Sequence, residues 1–185
     1  MDDPVSVAAV CGSRRATSYT RDALRVALDA AAEGGADTAL LDLGDPALDL
    51  PLYHPDEDPT SDMERLADDL AAADGALLGT PVYHGSYSSA LKSFHDWCGS
   101  SEFEDTVVGL VAVAGGGSYA TTLSHLRDTV RSVHGLVVPE QVGIRNAADR
   151  FEDGHLADDG LRERTREVGR VVARTARRER TAATR

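Results

Sequence analysis

The residues best placed to do chemistry form one continuous stretch, Gly12-Ser13-Arg14-Arg15-Ala16-Thr17-Ser18-Tyr19-Thr20. It follows the apolar run Val5 to Cys11 and leads into a helical pattern that begins near Arg21. A strand that ends in Gly, Ser and Thr and turns into a helix directs backbone N–H groups and hydroxyls at one point, where the helix dipole also favours an anion. No Asp or Glu lies between Asp3 and Asp22, and the loop carries two arginines. This composition is that of a phosphate cradle, a local positive island in an acidic chain. Two more loops hold unusual residues. Thr80-Pro81-Val82-Tyr83-His84-Gly85-Ser86-Tyr87 follows an apolar run from Ala76, and Gly115-Gly116-Gly117-Ser118-Tyr119 follows the run Val107 to Ala114.

The elements that must position these loops alternate along the chain. Strand-like runs are expected at Val5 to Cys11, Thr38 to Leu43, Ala76 to Thr80, Val107 to Ala114, and Leu136 to Val138 with Val142 to Ile144. Helical periods fall between them at Arg21 to Ala32, Asp62 to Ala73, Ser88 to Trp97, Thr121 to His134 and Asp158 to Arg178. Near-continuous apolar strands between amphipathic helices predict a parallel sheet covered on both faces. Ala23, Val26, Ala27, Ala30 and Ala31 form the packing side of the first helix, which should stop at Gly34-Gly35. Gly44 to Ser61, rich in Pro and Asp, predicts a long loop of the kind that borders a site or a subunit contact. In a doubly wound sheet of five strands, ligands bind beyond the carboxyl ends of the strands where the winding reverses, and all three special loops end up there.

At this point the chain resembles a known family, the NAD(P)H-dependent FMN reductases of flavodoxin-like fold, with their quinone, azo-dye and chromate reductase relatives. The first loop is similar to G-S-x-R-x-x-S-x-N through Gly12, Ser13, Arg15 and Ser18, with Thr20 where Asn is usual. The second resembles T-P-x-Y-x-x-S followed by L-K-x-x-x-D-W through Thr80, Pro81, Tyr83, Ser86, Leu91, Lys92, Asp96 and Trp97. The glycine-rich third loop, Leu126-Arg127 and Leu136-Val137-Val138-Pro139 also fit. Val82 and His84 stand where many members carry Glu and Asn.

The resemblance implies one flavodoxin-like α/β domain over residues 1–185, a three-layer sandwich whose five-stranded parallel sheet runs in order 2-1-3-4-5. It implies FMN as cofactor, with the phosphate on Ser13, Arg15, Ser18 and Thr20 and with Tyr19 also cofactor-binding. Pro81, Val82, Tyr83, His84, Gly85 and Ser86 would line the isoalloxazine edge, and Gly115, Gly116, Gly117 and Ser118 the pyrimidine end. It further implies NADPH or NADH as donor, a quinone, free flavin or similar small molecule as acceptor, and a homodimer or homotetramer. No catalytic side chain is expected, because hydride transfer to a flavin needs no protein acid or base. Arg145 and Arg150 are candidates to meet a nucleotide 2′-phosphate.

Two other functions compete. One is a flavodoxin-like electron carrier. The other is a serine hydrolase using Ser118, since Gly116 to Ala120 approaches the nucleophile elbow and His134 or His155 lies downstream as a base. Gly115-x-Gly117-x-x-Ala120 also approaches a dinucleotide fingerprint, but after the fourth strand rather than the first.

Composition limits the rest. At 185 residues the chain can bury roughly 70% of the surface its unfolded form exposes. The charge of −12, with one lysine against eighteen arginines, resembles proteins adapted to molar salt. Such a surface repels phosphate backbones, so no nucleic-acid partner is expected. The start lacks a leader pattern and no apolar run is long enough to span a bilayer, so a cytoplasmic protein without a membrane partner is expected. Cys11 and Cys98 form no C-x-x-C pair, and no metal-ligand spacing occurs. The last twenty-five residues hold nine arginines against three glutamates. They are expected to form a helix with a solvated basic face and a frayed terminus, packed through Leu161, Val168, Val171, Val172 and Thr175.

Overall fold

Parallel strands, the inner three buried on both faces and the two edge strands only in part, govern the architecture of the computed structural model, which describes residues 3–183. The strands are β1 (Ser6–Cys11), β2 (Asp37–Asp42), β3 (Gly75–Pro81), β4 (Val107–Val113) and β5 (Leu136–Ile144), paired in order β2-β1-β3-β4-β5 with every pairing parallel. This is the flavodoxin-like winding, with its reversal between β1 and β3. The helices are α1 (Tyr19–Glu33), α2 (Ser61–Ala71), α3 (Ser89–Trp97), the short α4 (Ser100–Phe103), α5 (Ala120–Ser132) and α6 (Asp159–Ala183).

Alternation along each strand splits the core in two. Val7, Ala9, Leu77, Val111 and Val142 face α1 and α6, whereas Ala8, Val10, Leu78, Leu110 and Ala112 face α2, α3 and α5. On the first face small residues let the helices sit close. A Cβ on Gly109 would fall 2.7 Å from Val172, and one on Gly169 would fall 1.9 Å from the carbonyl oxygen of Ala27, where α6 crosses α1. The packing side of α1 also includes Leu24 and Leu28, while Val26 is only half-buried.

Several expectations change. The two apolar pieces of the last strand are one strand with a bulge: Val108 pairs with Val137 but Leu110 with Gln141. Pro139 has no N–H to give to a ladder, so the extra residues accommodate it. Arg127 donates to the carbonyls of Val137 and Val138 and to Gln141, holding the bulge. α6 continues to Ala183 instead of fraying near Arg178, because Arg177 donates to the carbonyl of Gly34 and Arg180 to that of Pro4 and to Asp74. Its buried stripe is Thr165, Val168, Gly169, Val171, Val172, Ala173 and Ala176, with Leu161 and Thr175 half-buried at its edge. Periodicity did not indicate α4, a 3-10 turn (Ala147–Asp149) or a two-stranded hairpin of β6 (Phe151–Glu152) and β7 (His155–Leu156).

Candidate functional site

The three loops do meet at the carboxyl edge of the sheet, and hydrogen bonds explain how. The first loop leaves β1 through Gly12, whose N–H donates to the carbonyl of Gly79 in β3 at 2.8 Å. Ser88, the N-cap of α3, donates its hydroxyl to the carbonyl of Gly12 at 2.6 Å and accepts from the N–H of Leu91 at 3.2 Å. Its own N–H reaches the hydroxyl of Thr80 at 2.9 Å. A Cβ on Gly12 would come within 2.7 Å of Leu91, so only glycine fits this junction.

Further along the loop, Ser18 caps α1 by accepting from the N–H of Arg21 at 3.2 Å. Ser13, Ser18 and Thr20 are buried, and Arg14 and Arg15 are exposed with guanidinium groups that make no hydrogen bond or ion pair among the described residues. The N–H groups of Ala16, Thr17, Ser18, Tyr19 and Thr20 likewise have no protein acceptor. Five unspent donors at a helix start, with two free cations and no nearby carboxylate in the loop, suit an anion. The ring of Tyr19 is turned aside, stacked on Phe151 of the β6–β7 hairpin at 4.8 Å, so its backbone rather than its phenol faces the cradle. Burial pushes the Cys11 thiol beneath the loop up to about 11, which keeps it protonated and unreactive at neutral pH.

The second loop is a tight hairpin. Tyr83 and Ser86 pair with each other, and His84 (φ +50°) and Gly85 (φ +78°) form its turn. Positive φ at both central residues is the signature of a type I′ turn. Pro81 ends β3 against Val113, and the N–H of Val82 donates to that residue's carbonyl at 2.9 Å. From α5, the Thr121 hydroxyl donates to the carbonyl of Gly85 at 2.8 Å and His125 Nδ1 lies 3.0 Å from the Ser86 hydroxyl. Tyr83 is half exposed at the mouth.

In the third loop Gly115, Gly116, Gly117 and Ser118 are all exposed. A Cβ on Gly115 or Gly117 would meet no atom within 4 Å. These glycines therefore border open space rather than packed protein, which is what a flat ligand lying against backbone requires. Arg145 donates to the carbonyl of Gly116 at 3.0 Å and steadies the loop, while Arg150 pairs with Asp158 at 2.8 Å. Ser118 accepts from the N–H of Ala120 at 3.3 Å and touches no histidine. His134 lies past the far end of α5, roughly 20 Å along the helix axis, and His155 lies in the hairpin, so no triad assembles.

Trp97 is half-buried. Its indole N–H points to the carbonyl of Pro51 at 3.5 Å and its ring meets Tyr53 edge-on at 4.9 Å, so it anchors the long loop before α2. Ser88, Arg21, Asp42, Thr121 and His125 were missed as site residues. Ser88 had a local signal as a cap three residues before Leu91, whereas Thr121, His125 and the Arg21–Asp42 pair act through contacts distant in sequence.

Among known proteins, a family model described as NADPH-dependent FMN reductase matches residues 5–149. An FMN-dependent NADPH-azoreductase of Staphylococcus aureus is 40% identical over 107 residues, which is 56% of this chain and 57% of that protein. The chain thus spans little more than half the length of the curated relatives it matches. Among solved structures, an oxidoreductase from Corynebacterium diphtheriae superposes with TM-score 0.76 at 21% identity, covering 94% of this chain and 97% of the other. The flavoenzyme NAD(P)H:(acceptor) oxidoreductase FerB from Paracoccus denitrificans gives TM-score 0.76 at 22% identity, covering 95% and 98%. These two likenesses establish the fold.

Proposed function

This chain belongs to the NADPH-dependent FMN reductase family, and from that premise we propose that it is a flavin oxidoreductase which passes electrons from a reduced nicotinamide to a small acceptor. The chemistry that bound FMN supplies is hydride acceptance from NADPH or NADH, followed by electron release to a quinone, free flavin, azo compound or similar molecule. The protein's part is to bind, orient and polarise.

Ser13, Arg15, Ser18, Tyr19 and Thr20 would hold the phosphate, with the five unspent N–H groups as donors and Arg15 closing over the anion. The hairpin Pro81–Ser86 would lie along the ring edge, its turn fixed by Thr121 and His125. Gly115–Ser118 would approach the pyrimidine end, where backbone donors favour the negative charge of the reduced ring. The observation that carries this reading is the convergence of a carboxylate-free loop, its N–H groups unspent, with a glycine loop that borders open space.

The Staphylococcus relative is named for NADPH and azo compounds, which makes these the first donor and acceptor class to test. A second copy of the chain would cover the exposed Leu52, Tyr53 and Tyr83, giving a homodimer or homotetramer. The acidic, lysine-poor surface suits a cytosol of high salt. No helix among the described residues is long and apolar enough to cross a membrane.

The test is a visible spectrum of the protein in molar salt with added FMN, then anaerobic addition of NADPH and of NADH. Bound flavin that bleaches with either nucleotide supports the reductase. Bound flavin that stays oxidised would make the protein an electron carrier, and no flavin binding would overturn the reading.

A further inference from the structure

The Arg21 side chain begins in the first turn of α1 and turns back under the phosphate loop. Its Nε donates to Asp42 Oδ2 at 2.6 Å, one terminal nitrogen donates to the carbonyl of Ala16 at 2.9 Å, and the other to the carbonyl of Arg15 at 3.2 Å. All three guanidinium nitrogens are therefore spent on protein, and the side chain is 12% exposed. Asp42, at the end of β2, is spent as well. Its second oxygen accepts from the N–H of Gly44 at 3.0 Å. β2 reaches this position because residue 44 is glycine: a Cβ there would fall 2.4 Å from the carbonyl oxygen of Ser13 and 3.2 Å from the Arg21 guanidinium.

In a trans peptide the carbonyl of one residue and the N–H of the next point in opposite directions. Turning the carbonyls of Arg15 and Ala16 onto Arg21 turns the N–H groups of Ala16 and Thr17 away from it. Those two donors have no acceptor among the described residues. The same contact sets the Asp42 carboxylate against the Arg21 guanidinium under the loop, and the ion pair offsets its charge beside the proposed anion site.

We propose that Arg21, locked to Asp42, is a positioning residue that presets the loop for a phosphate monoester by holding two carbonyls down and two N–H donors up. It confers preference for FMN over riboflavin without touching the ligand. This rests on the flavin reading above and adds to it a residue that sequence motifs assign no role. The guanidinium fork is essential to the function, because two carbonyls and a carboxylate must be gripped at once and an ammonium group is a point charge.

The experiment is a fluorescence titration of FMN and of riboflavin with three proteins: the parent, Arg21→Gln/Asp42→Asn and Arg21→Lys. The double variant leaves no stranded carboxylate and keeps the pair's net charge at zero. Loss of preset donors is expected to weaken FMN binding about 30-fold, the order of one or two lost charge-assisted phosphate contacts, with riboflavin affinity within about threefold of the parent. Arg21→Lys keeps the charge but not the fork and is expected to lose FMN affinity about tenfold or more. Parental FMN affinity in either variant would overturn the proposal, as would equal losses for FMN and riboflavin, which would mark the pair as purely structural. A parent that binds neither ligand would instead overturn the flavin reading on which the proposal stands.

Discussion

Ser88→Ala removes a single hydroxyl that joins two loops of the site. The oxygen caps α3 through Leu91 at 3.2 Å and its proton goes to the carbonyl of Gly12 at 2.6 Å. Ser88 is 3% exposed, so water has no ready access to either partner. Loss of the cap costs about 1 kcal/mol. The stranded Gly12 carbonyl costs about 1–3 kcal/mol. Together we expect about 2–4 kcal/mol of folding stability to be lost, which for a chain of this length lowers Tm by about 5–15 °C. The assay is urea unfolding followed by far-UV circular dichroism, parent and variant side by side in molar salt, with the slope m compared first so that only the midpoint carries the difference. A loss under about 0.5 kcal/mol at unchanged m would refute the reasoning, since it would mean that the Gly12 carbonyl finds another donor.

Arg15→Ala should weaken FMN binding by about 1.5–3 kcal/mol, the scale of a charged hydrogen bond, and unchanged affinity in a titration would reject the phosphate-loop assignment. Gly169→Ala gains about 1 kcal/mol of helix propensity but drives a methyl into the Ala27 carbonyl, so a net loss of about 2 kcal/mol is expected by thermal melting, and a rise in Tm would count against the close crossing of α1 and α6. His95 is buried against Phe103 with its Nε2 unpartnered among the described residues, and burial holds its imidazole below the ordinary 6.5. The unfolded chain therefore binds a proton that the native one refuses. This contribution is full above the unfolded value and shrinks as pH falls below it towards the lowered native value. Stability should drop as pH falls below the ordinary 6.5, and His95→Phe should flatten that slope; an equal slope in both proteins would dismiss the role of His95.

Legibility in the sequence followed the range of the forces involved. The winding could be deduced because burial on both faces writes itself as apolar runs, as in Val107–Val113, and because Gly12, Pro81 and Gly115–Gly117 punctuate the strand ends. The helix start at the first loop was also legible, because Ser18 caps it through a residue three positions on, a wholly local event. What fixes the cradle was not. Arg21 looked like the first residue of an ordinary helix, and its partner Asp42 lies 21 residues away on another strand. The β6–β7 hairpin escaped because two-residue strands have no period to detect, although Asp153-Gly154 at its tip is a turn dipeptide with φ of +47° and +78°. The arginine-rich end misled as to its extent. Glu163 and Glu167 pair with Arg166, Arg170 and Arg174 along α6, and the anchoring of Arg180 on Asp74 requires the tertiary fold.

The two sides of the candidate site differ in kind, and under the proposed function that difference would make the protein strict about its cofactor and tolerant of its acceptor. The side proposed to take the phosphate is pinned twice, by Ser88 from α3 and by Arg21 from α1, both with little exposed surface. Its donors need little reorganisation when an anion arrives, so affinity is not spent on ordering the loop. The opposite wall is held by few and exposed contacts: Arg145 on Gly116, Thr121 on Gly85 and His125 beside Ser86. Its glycines border open space and Tyr83 stands half exposed at the mouth. Flat molecules of different outline can lie against such a surface at small cost, because contacts to backbone and to one half-exposed ring discriminate weakly between shapes. Breadth of acceptor choice should therefore respond to Tyr83 and to the third loop, whereas cofactor choice should respond to Arg21 and Arg15. Substitutions at Tyr83 that change the ranking of acceptors while leaving FMN affinity alone would bear out this division, and a loss of FMN affinity there as large as at Arg15 would contradict it.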